Sequence, residues 1–267
     1  MNKSSIYTVI LLAVSLLAGC NKYEKILKGS DFDAKYKVAM ESYEKGDYDR
    51  AVQFFENLTM YYRGRDKAEN VSWYYAQSLF KTKDYTNAGY QFKSFVRLFP
   101  YSTHVEEALF RSAYCKYLES PAYSLDQTLT KEAMSDFELY LEKYPSSNHI
   151  PEINGYLDEM RGKLMKKDYE IAYGYYKIEA YHAAYVSFGN FISNYPESAS
   201  KEDAMFYMIK AGYELAINSQ ESKVEERLRQ VIADFERFAA LVTNPKYKSE
   251  LQDIYNKSRN ILAKISK

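Results

Sequence analysis

Cysteine and histidine are the side chains best able to carry chemistry here, and they are few: Cys20 and Cys115, with His104, His149 and His182 scattered along 267 residues. A reactive thiol needs a base or a positive neighbour to draw off its proton, and a metal needs imidazole, thiolate or carboxylate donors at fixed spacing. Cys115 has no histidine in such a motif, and the three histidines form no ligand pattern. A Gly-rich phosphate loop and a nucleophile elbow are missing as well. Acidic residues are plentiful, but pairs such as Glu106-Glu107 and Glu225-Glu226 read as the solvated face of amphipathic helices. The pattern predicts no enzyme, no metal and no bound cofactor. Cys20 differs, because it closes an uncharged run directly behind Leu17-Ala18-Gly19.

That run defines the amino terminus. Met1 to Ser5 carries one cation, Lys3, and Ile6 to Ala18 then gives thirteen residues without charge. Thirteen is too short for a bilayer-spanning helix, which needs about 20, but it has the charged and apolar regions of a secretory signal. Leu17-Ala18-Gly19-Cys20 resembles the lipobox of bacterial lipoproteins. The resemblance implies cleavage of residues 1–19 and diacylglycerol on the Cys20 sulfur, with a further acyl chain on its new amino group. At about 0.8 kcal/mol per buried methylene, two or three chains make a stable membrane anchor. The plain alternative is an ordinary signal peptide followed by a free thiol. Asn21 to Ser30 has no apolar period, so residues 20–32 are expected to be a lipidated tether. With Cys20 acylated no intramolecular disulfide remains, and Cys115 is expected to be a small core residue.

Composition narrows the partners. Lys plus Arg and Asp plus Glu both number 36, which leaves no basic surplus for the phosphates of a nucleic acid. At 46% hydrophobic and 27% charged, the chain can bury a substantial core. Tyrosine is over-used, 29 against 14 Phe and one Trp, and its apolar ring with a polar tip suits both helix packing and peptide contact.

The elements that must position these residues are helical. From about Asp31 apolar residues recur at three and four positions, and no run alternates in a strand-like way. Ala88, Phe92 and Pro100 have the spacing Ala-x3-Phe-x7-Pro, repeated by Ala133, Phe137, Pro145 and by Ala184, Phe188, Pro196. Ala51 and Phe55 end in Arg63 instead, and Val231, Phe235 and Thr243 keep only the Phe, as degenerate terminal copies do. Ala39, Ala76 and Ala172 stand twelve residues before three of the ladder alanines, and Tyr48, Tyr85 and Tyr181 precede the second helices. Gly46-Asp47 and Lys83-Asp84 mark turns where one helix stops and the next is capped. This resembles the tetratricopeptide (TPR) pattern, so the expectation is an all-α, TPR-type helix-turn-helix solenoid of about five repeats with a C-terminal capping helix; HEAT-like arrays and plain bundles do not explain the ladder. Successive Phe markers lie 37, 45, 51 and 47 residues apart, so the later repeats carry insertions: a long turn over 120–130 and an extended helix over 146–166, which makes either the first helix of the fourth repeat or a linker helix before it. Residues 33–165 are expected to hold repeats 1–3 with a linker helix, and 166–267 repeats 4–5 with a capping helix over 246–265.

The ladder fixes helix phase and so picks out a face. Tyr36, Met40 and Tyr43 in the first repeat, Trp73, Gln77 and Phe80 in the second, and Tyr169, Tyr173 and Tyr176 in the fourth recur at i, i+4, i+7 beside the alanines. Such a stripe serves either as core or as a binding surface. The expectation is a client-binding groove for an extended segment rich in aromatic residues.

A lipobox followed by imperfect TPR units ending in Arg97-Leu98-Phe99-Pro100, Glu142-Lys143-Tyr144-Pro145-Ser146 and Ser193-Asn194-Tyr195-Pro196-Glu197-Ser198 resembles the BamD family of lipoproteins, which serve outer-membrane β-barrel assembly. The resemblance runs from Cys20 to roughly Leu241 and is densest from Leu125-Asp126-Gln127 through Pro145. It implies an adaptor anchored in the outer membrane and facing the periplasm, consistent with Asn21 after the lipidated Cys. It also implies two partners: a β-barrel insertase subunit with periplasmic repeat domains, and unfolded outer-membrane proteins. The helix beyond Pro245 departs from the family pattern. Another lipid-anchored TPR scaffold of the cell envelope, in a division or nutrient-uptake complex, is the alternative.

Overall fold

A computed structural model gives the structure of residues 23–265; the leader over 1–19 and Cys20 lie outside the described residues. Eleven long helices follow a short helical segment over 23–28: α1 (Phe32–Glu44), α2 (Tyr48–Tyr62), α3 (Ala68–Lys81), α4 (Tyr85–Leu98), α5 (Val105–Leu118), α6 (Thr128–Lys143), α7 (Ile150–Lys177), α8 (Tyr181–Asn194), α9 (Lys201–Ile217), α10 (Glu221–Phe238) and α11 (Pro245–Ile265). Strands are absent among the described residues. The fold is all-α, built from helix-turn-helix repeats of the TPR type. It divides into two compact units, one with the described residues through 121 and 126–157, the other with 122–125 and 158 onward. The sequence boundary expected at 165 therefore falls inside α7.

The turn within a repeat is made the same way three times. Gly46, Lys83 and Glu179 take left-handed φ of 77°, 65° and 61°. The next residue then sends its N–H five residues back, Asp47 to the Ser42 carbonyl, Asp84 to Leu79 and Ala180 to Tyr175. With the N–H of the left-handed residue itself donating three back, to Tyr43, Phe80 and Tyr176, two hydrogen bonds satisfy carbonyls that the helix end would otherwise leave bare. Asp47 and Asp84 then cap the following helix, accepting from Arg50 N at 3.3 Å and Asn87 N at 3.2 Å. Between repeats the prolines act through the residue before them. Phe99, Tyr144 and Tyr195 share φ near −130° and ψ of 61–66°, outside the helical region that a following proline disfavours for its neighbour. Each second helix accordingly stops two residues short of its proline.

The ladder is the core. Ala51, Ala88, Ala133 and Ala184, with Phe55, Phe92, Phe137 and Phe188, are all fully buried, as are Ala39, Ala76 and Ala172 opposite them. Burying a Phe side chain contributes about 1.5–3 kcal/mol, so each repeat is held chiefly by this ring and the small residues that let two backbones approach. Cys115 is buried, and burial pushes its thiol up to about 12.

The fifth repeat solves the same problem differently. Val231 stands at the ladder position and is buried, Ile209 is buried at the place of the facing alanine on α9, and Gly212 of the same helix lies close against Val231. A Cβ on Gly212 would meet Val231 Cγ2 at 3.3 Å and the Tyr185 ring at 3.1 Å. Phe235 is only half-buried, stacked on Tyr255 of α11 at 4.6 Å. α11 covers α9 and α10 through buried Leu251, Ile254 and Leu262. Its start is tied to α9: Glu202 accepts from the backbone N–H of Thr243 and Asn244 at 2.7 and 2.5 Å, and Tyr247 stacks on Phe206 at 4.0 Å.

One segment differs from expectation, and another decides between two readings of the sequence. The presumed tether is helical over 23–28, with Tyr23, Ile26 and Leu27 packed against the first-repeat core. Those residues have i, i+3, i+4 spacing, a period too short to register beside the charges around it. The extended helix after Pro145 and the first helix of the fourth repeat are one 28-residue helix, α7. Pro151 is tolerated because it sits in the first turn, where its missing N–H has no partner to lose.

Candidate protein-binding surface

The aromatic stripe rises from the first helix of each repeat, three residues before and four after its buried alanine. On α1, Tyr36 is half-buried with its edge toward Tyr62 at 5.9 Å and the Lys67 ammonium 4.8 Å above its ring. Met40 is half-buried against the same core. Tyr43 lies between Tyr48 and Tyr74, at 5.4 and 4.9 Å, and burial raises its hydroxyl above the ordinary tyrosine range. On α3, Phe80 is half-buried and reaches Tyr114 of α5 at 6.1 Å, with the Arg111 guanidinium 4.7 Å over its face.

Trp73 and Gln77 sit deeper, each 8% exposed. Trp73 stacks on His104 at 4.3 Å and meets Phe92 and Phe95 at 5.8 and 5.4 Å. The Ala-minus-three residue therefore packs inside its own repeat, while the residues four beyond the alanine keep a solvent edge. In the second unit Tyr169 likewise packs on Phe188 and Phe191, at 5.9 and 5.5 Å, and Tyr173 and Tyr176 meet Tyr207 at 5.0 and 5.1 Å.

The third repeat completes the stripe in residues that sequence reasoning missed. Phe110, Tyr114 and Tyr117 occupy the equivalent places on α5, and Tyr156 of α7 joins them at 5.2 Å from Tyr114 and 4.5 Å from Tyr117. They were hidden because the long turn over 119–127 breaks the twelve-residue offset between paired alanines. Phe110-x2-Ala113 matches Tyr36-x2-Ala39 and Trp73-x2-Ala76, and was the signal available.

Charged groups border these rings. Arg111 donates to Glu107 at 2.6 Å, and His149 Nε2 lies 3.1 Å from the other Glu107 oxygen. Nδ1 of His149 contacts Glu152, which also accepts from Tyr156 at 3.2 Å, and the His149 ring stacks on Phe110 at 3.9 Å. Below them, Tyr140 and Ser147 both donate to Glu106, at 3.0 and 2.7 Å. Ring faces, a guanidinium and carboxylates in one patch suit non-covalent peptide contact: aromatic stacking, a cation over a ring, and acceptors for backbone N–H groups. Among the described residues no group of three or more His, Cys, Asp and Glu side chains could hold a metal. No helix among them is long and apolar enough to cross a membrane.

A family model described as YfiO, outer membrane lipoprotein, matches residues 30–228. A protein of Aquifex aeolicus assigned to the outer membrane protein assembly factors BamD is 25% identical over 254 residues, 92% of this chain and 80% of its own. BamD of Pasteurella multocida is 19% identical, over 89% of this chain and 96% of its own. BamD of Haemophilus influenzae is 22% identical, over 77% and 83%. The family match runs from the residue before Asp31, the cap of α1, into the middle of α10, and leaves α11 beyond it.

Proposed function

Since the chain belongs to the YfiO family of outer membrane lipoproteins, we propose how it serves as an outer-membrane protein assembly factor: as a non-catalytic TPR adaptor that holds other proteins at the membrane. Lipid on Cys20 anchors it in the outer membrane with the repeats facing the periplasm. One partner is the β-barrel insertase subunit with its periplasmic repeat domains. The other is the unfolded outer-membrane protein, bound as an extended segment along the first-helix stripe. The observation that carries this reading is the coincidence of a family match over nearly all the repeats with an aromatic stripe recurring in register along them.

Tyr43, Phe80, Tyr114 and Tyr156, with Tyr36 and Met40, supply the exposed edges. Trp73 and Gln77 back that surface from beneath. Rigid rings in place before binding lose little entropy when a client docks. A gentle detergent extraction of outer membranes tests the partner assignment: the chain should bring down a large barrel protein with repeated periplasmic domains, and its consistent absence sinks the assignment. Tyr43→Ala with Phe80→Ala should weaken binding of an unfolded barrel segment about tenfold or more, since aromatic anchors of this kind contribute on the order of 2 kcal/mol. The emission of Trp73, the one tryptophan, checks that the repeats stay folded.

A further inference from the structure

The short helix over 23–28, three residues beyond Cys20, is docked on the first repeat. A chain spans at most about 3.6 Å per residue, so the three steps from Cys20 to Tyr23 reach no more than about 11 Å. Tyr23 is fixed in turn, with the Arg50 guanidinium 4.1 Å over its ring and Leu27 packed behind it. Beside Tyr23 opens a cleft of about 360 Å³, walled by Glu24, Leu27, Asp49, Arg50 and Gln53 over the buried ring of Phe54.

The lining carries both signs. Arg50 is held by Asp47 at 2.5 Å, which engages part of a guanidinium that has five N–H donors. Glu24 is engaged only by Lys28, in a pair more than half exposed on both sides; such pairs contribute little and exchange readily. With Asp47 counted, three carboxylates meet the Arg50 guanidinium and the Lys28 ammonium, a lining of net negative charge that disfavours a purely anionic ligand. It accepts one that brings a phosphate and a primary ammonium together. A tyrosine ring with a polar rim is also the side chain that settles at the headgroup level of a bilayer.

We propose that this cleft seats a phosphatidylethanolamine headgroup, phosphate on Arg50 and ammonium on Glu24 and Asp49, and so presses the first repeat against the bilayer that holds its anchor. The inference rests on the reading of Cys20 as lipidated. The lipid anchor then sets the height and tilt of the first repeat above the membrane, as a loose tether could not.

The test uses the full lipidated chain in vesicles of phosphatidylethanolamine with a minor share of phosphatidylglycerol. A photoreactive benzoylphenylalanine replaces Gln53, which is exposed on the cleft rim, and adducts are identified by mass. Phosphatidylethanolamine adducts should form, and their yield should fall several-fold in two further variants. Tyr23→Ser with Leu27→Ser frees the segment while the anchor remains; Arg50→Gln removes the cation and its contact with the Tyr23 ring but leaves Ile26 and Leu27 packed on the core. Trp73 emission confirms that both stay folded. Equal yields in all three proteins, or a preference for phosphatidylglycerol, overturn the cleft while acyl mass on Cys20 leaves the anchor standing. Absence of acyl mass overturns the anchor and this inference together.

Discussion

The second repeat and the fifth close the same pair of helices with different residues. In the second, Ala76 and Ala88 are both fully buried where α3 and α4 pack, and Phe92 is sealed by Trp73 and Phe80 at 5.8 and 6.5 Å. In the fifth, Ile209 is buried at the place of Ala76 and Val231 at the ladder position, Gly212 lies close against Val231, and Phe235 has slipped to a half-buried place with Tyr255 against it. What persists is close packing between the two helices, which a core requires whatever side chains supply it. What varies is how much the Phe contributes, and that follows from its neighbours. The second repeat has another on either side; the fifth has α11 in place of a sixth.

The sharpest break of this comparison is to remove the two rings. Phe92→Ala should destabilise the first unit by about 3–5 kcal/mol, the usual cost of deleting a fully buried Phe, read from denaturant unfolding followed by Trp73 emission. Phe235→Ala should cost less than half as much, read from hydrogen exchange along α10. Equal costs would mean that the Phe column is a uniform scaffold and that its end position is not special. Next in size is Gly212→Ala. Its new methyl lies 3.1 Å from a tyrosine ring whose hydroxyl is fixed to Asp234 at 2.7 Å, so neither side can yield, and overpacking of this kind costs about 1–3 kcal/mol. Adding Val231→Ala should restore part of the loss. A neutral Gly212→Ala would refute the close approach of Val231 and Tyr185 to this glycine.

The same contrast explains what the sequence made legible. The Ala-Phe-Pro ladder is a local, rigid signal, and the fold followed from it because each of its residues makes one repeated contact. The fifth repeat, where only Phe235 kept the pattern, hid its solution: Gly212 reads as a neutral helix residue until Val231 and Tyr185 are placed beside it. The candidate surface was legible in the first, second and fourth repeats and missed in the third, because the inserted turn shifted the phase count without moving the helix face. Burial of Trp73 could not be read at all. It depends on His104 folding back from the turn after Pro100, a contact that spans 31 residues and has no periodicity to announce it.

Turns offer a smaller test. Gly46, Lys83 and Glu179 hold one conformation, but only glycine adopts it without a Cβ clash that costs about 1–2 kcal/mol. Glu179→Gly should therefore stabilise the second unit by about 1 kcal/mol once the greater freedom of unfolded glycine is deducted. Gly46→Ala should destabilise the first by a similar amount. Both are read as shifts in denaturant midpoint at unchanged slope. A loss on Glu179→Gly would show that the Glu179 side chain makes a contact outweighing the strain.

The smallest expected effect concerns the helix that stands in for a sixth repeat. Backbone N–H donation from Asn244, with help from the Thr243 hydroxyl and N–H, holds the Glu202 carboxyl below its ordinary 4.5. A carboxylate whose folded value is depressed stabilises above the unfolded value and loses that contribution as pH falls through the folded one. Acidification should thus loosen residues 243–247 as pH falls through the folded value of Glu202, since this carboxylate ties a segment about forty residues away in sequence to α9. Hydrogen exchange at acid pH reads this directly, as faster exchange at the start of α11 in the native chain that is already present at neutral pH in Glu202→Gln. If neither acid nor Glu202→Gln speeds exchange at the start of α11, the Phe206–Tyr247 stack and the buried leucines hold it without the carboxylate, and the terminal helix is as integral to the fold as a repeat.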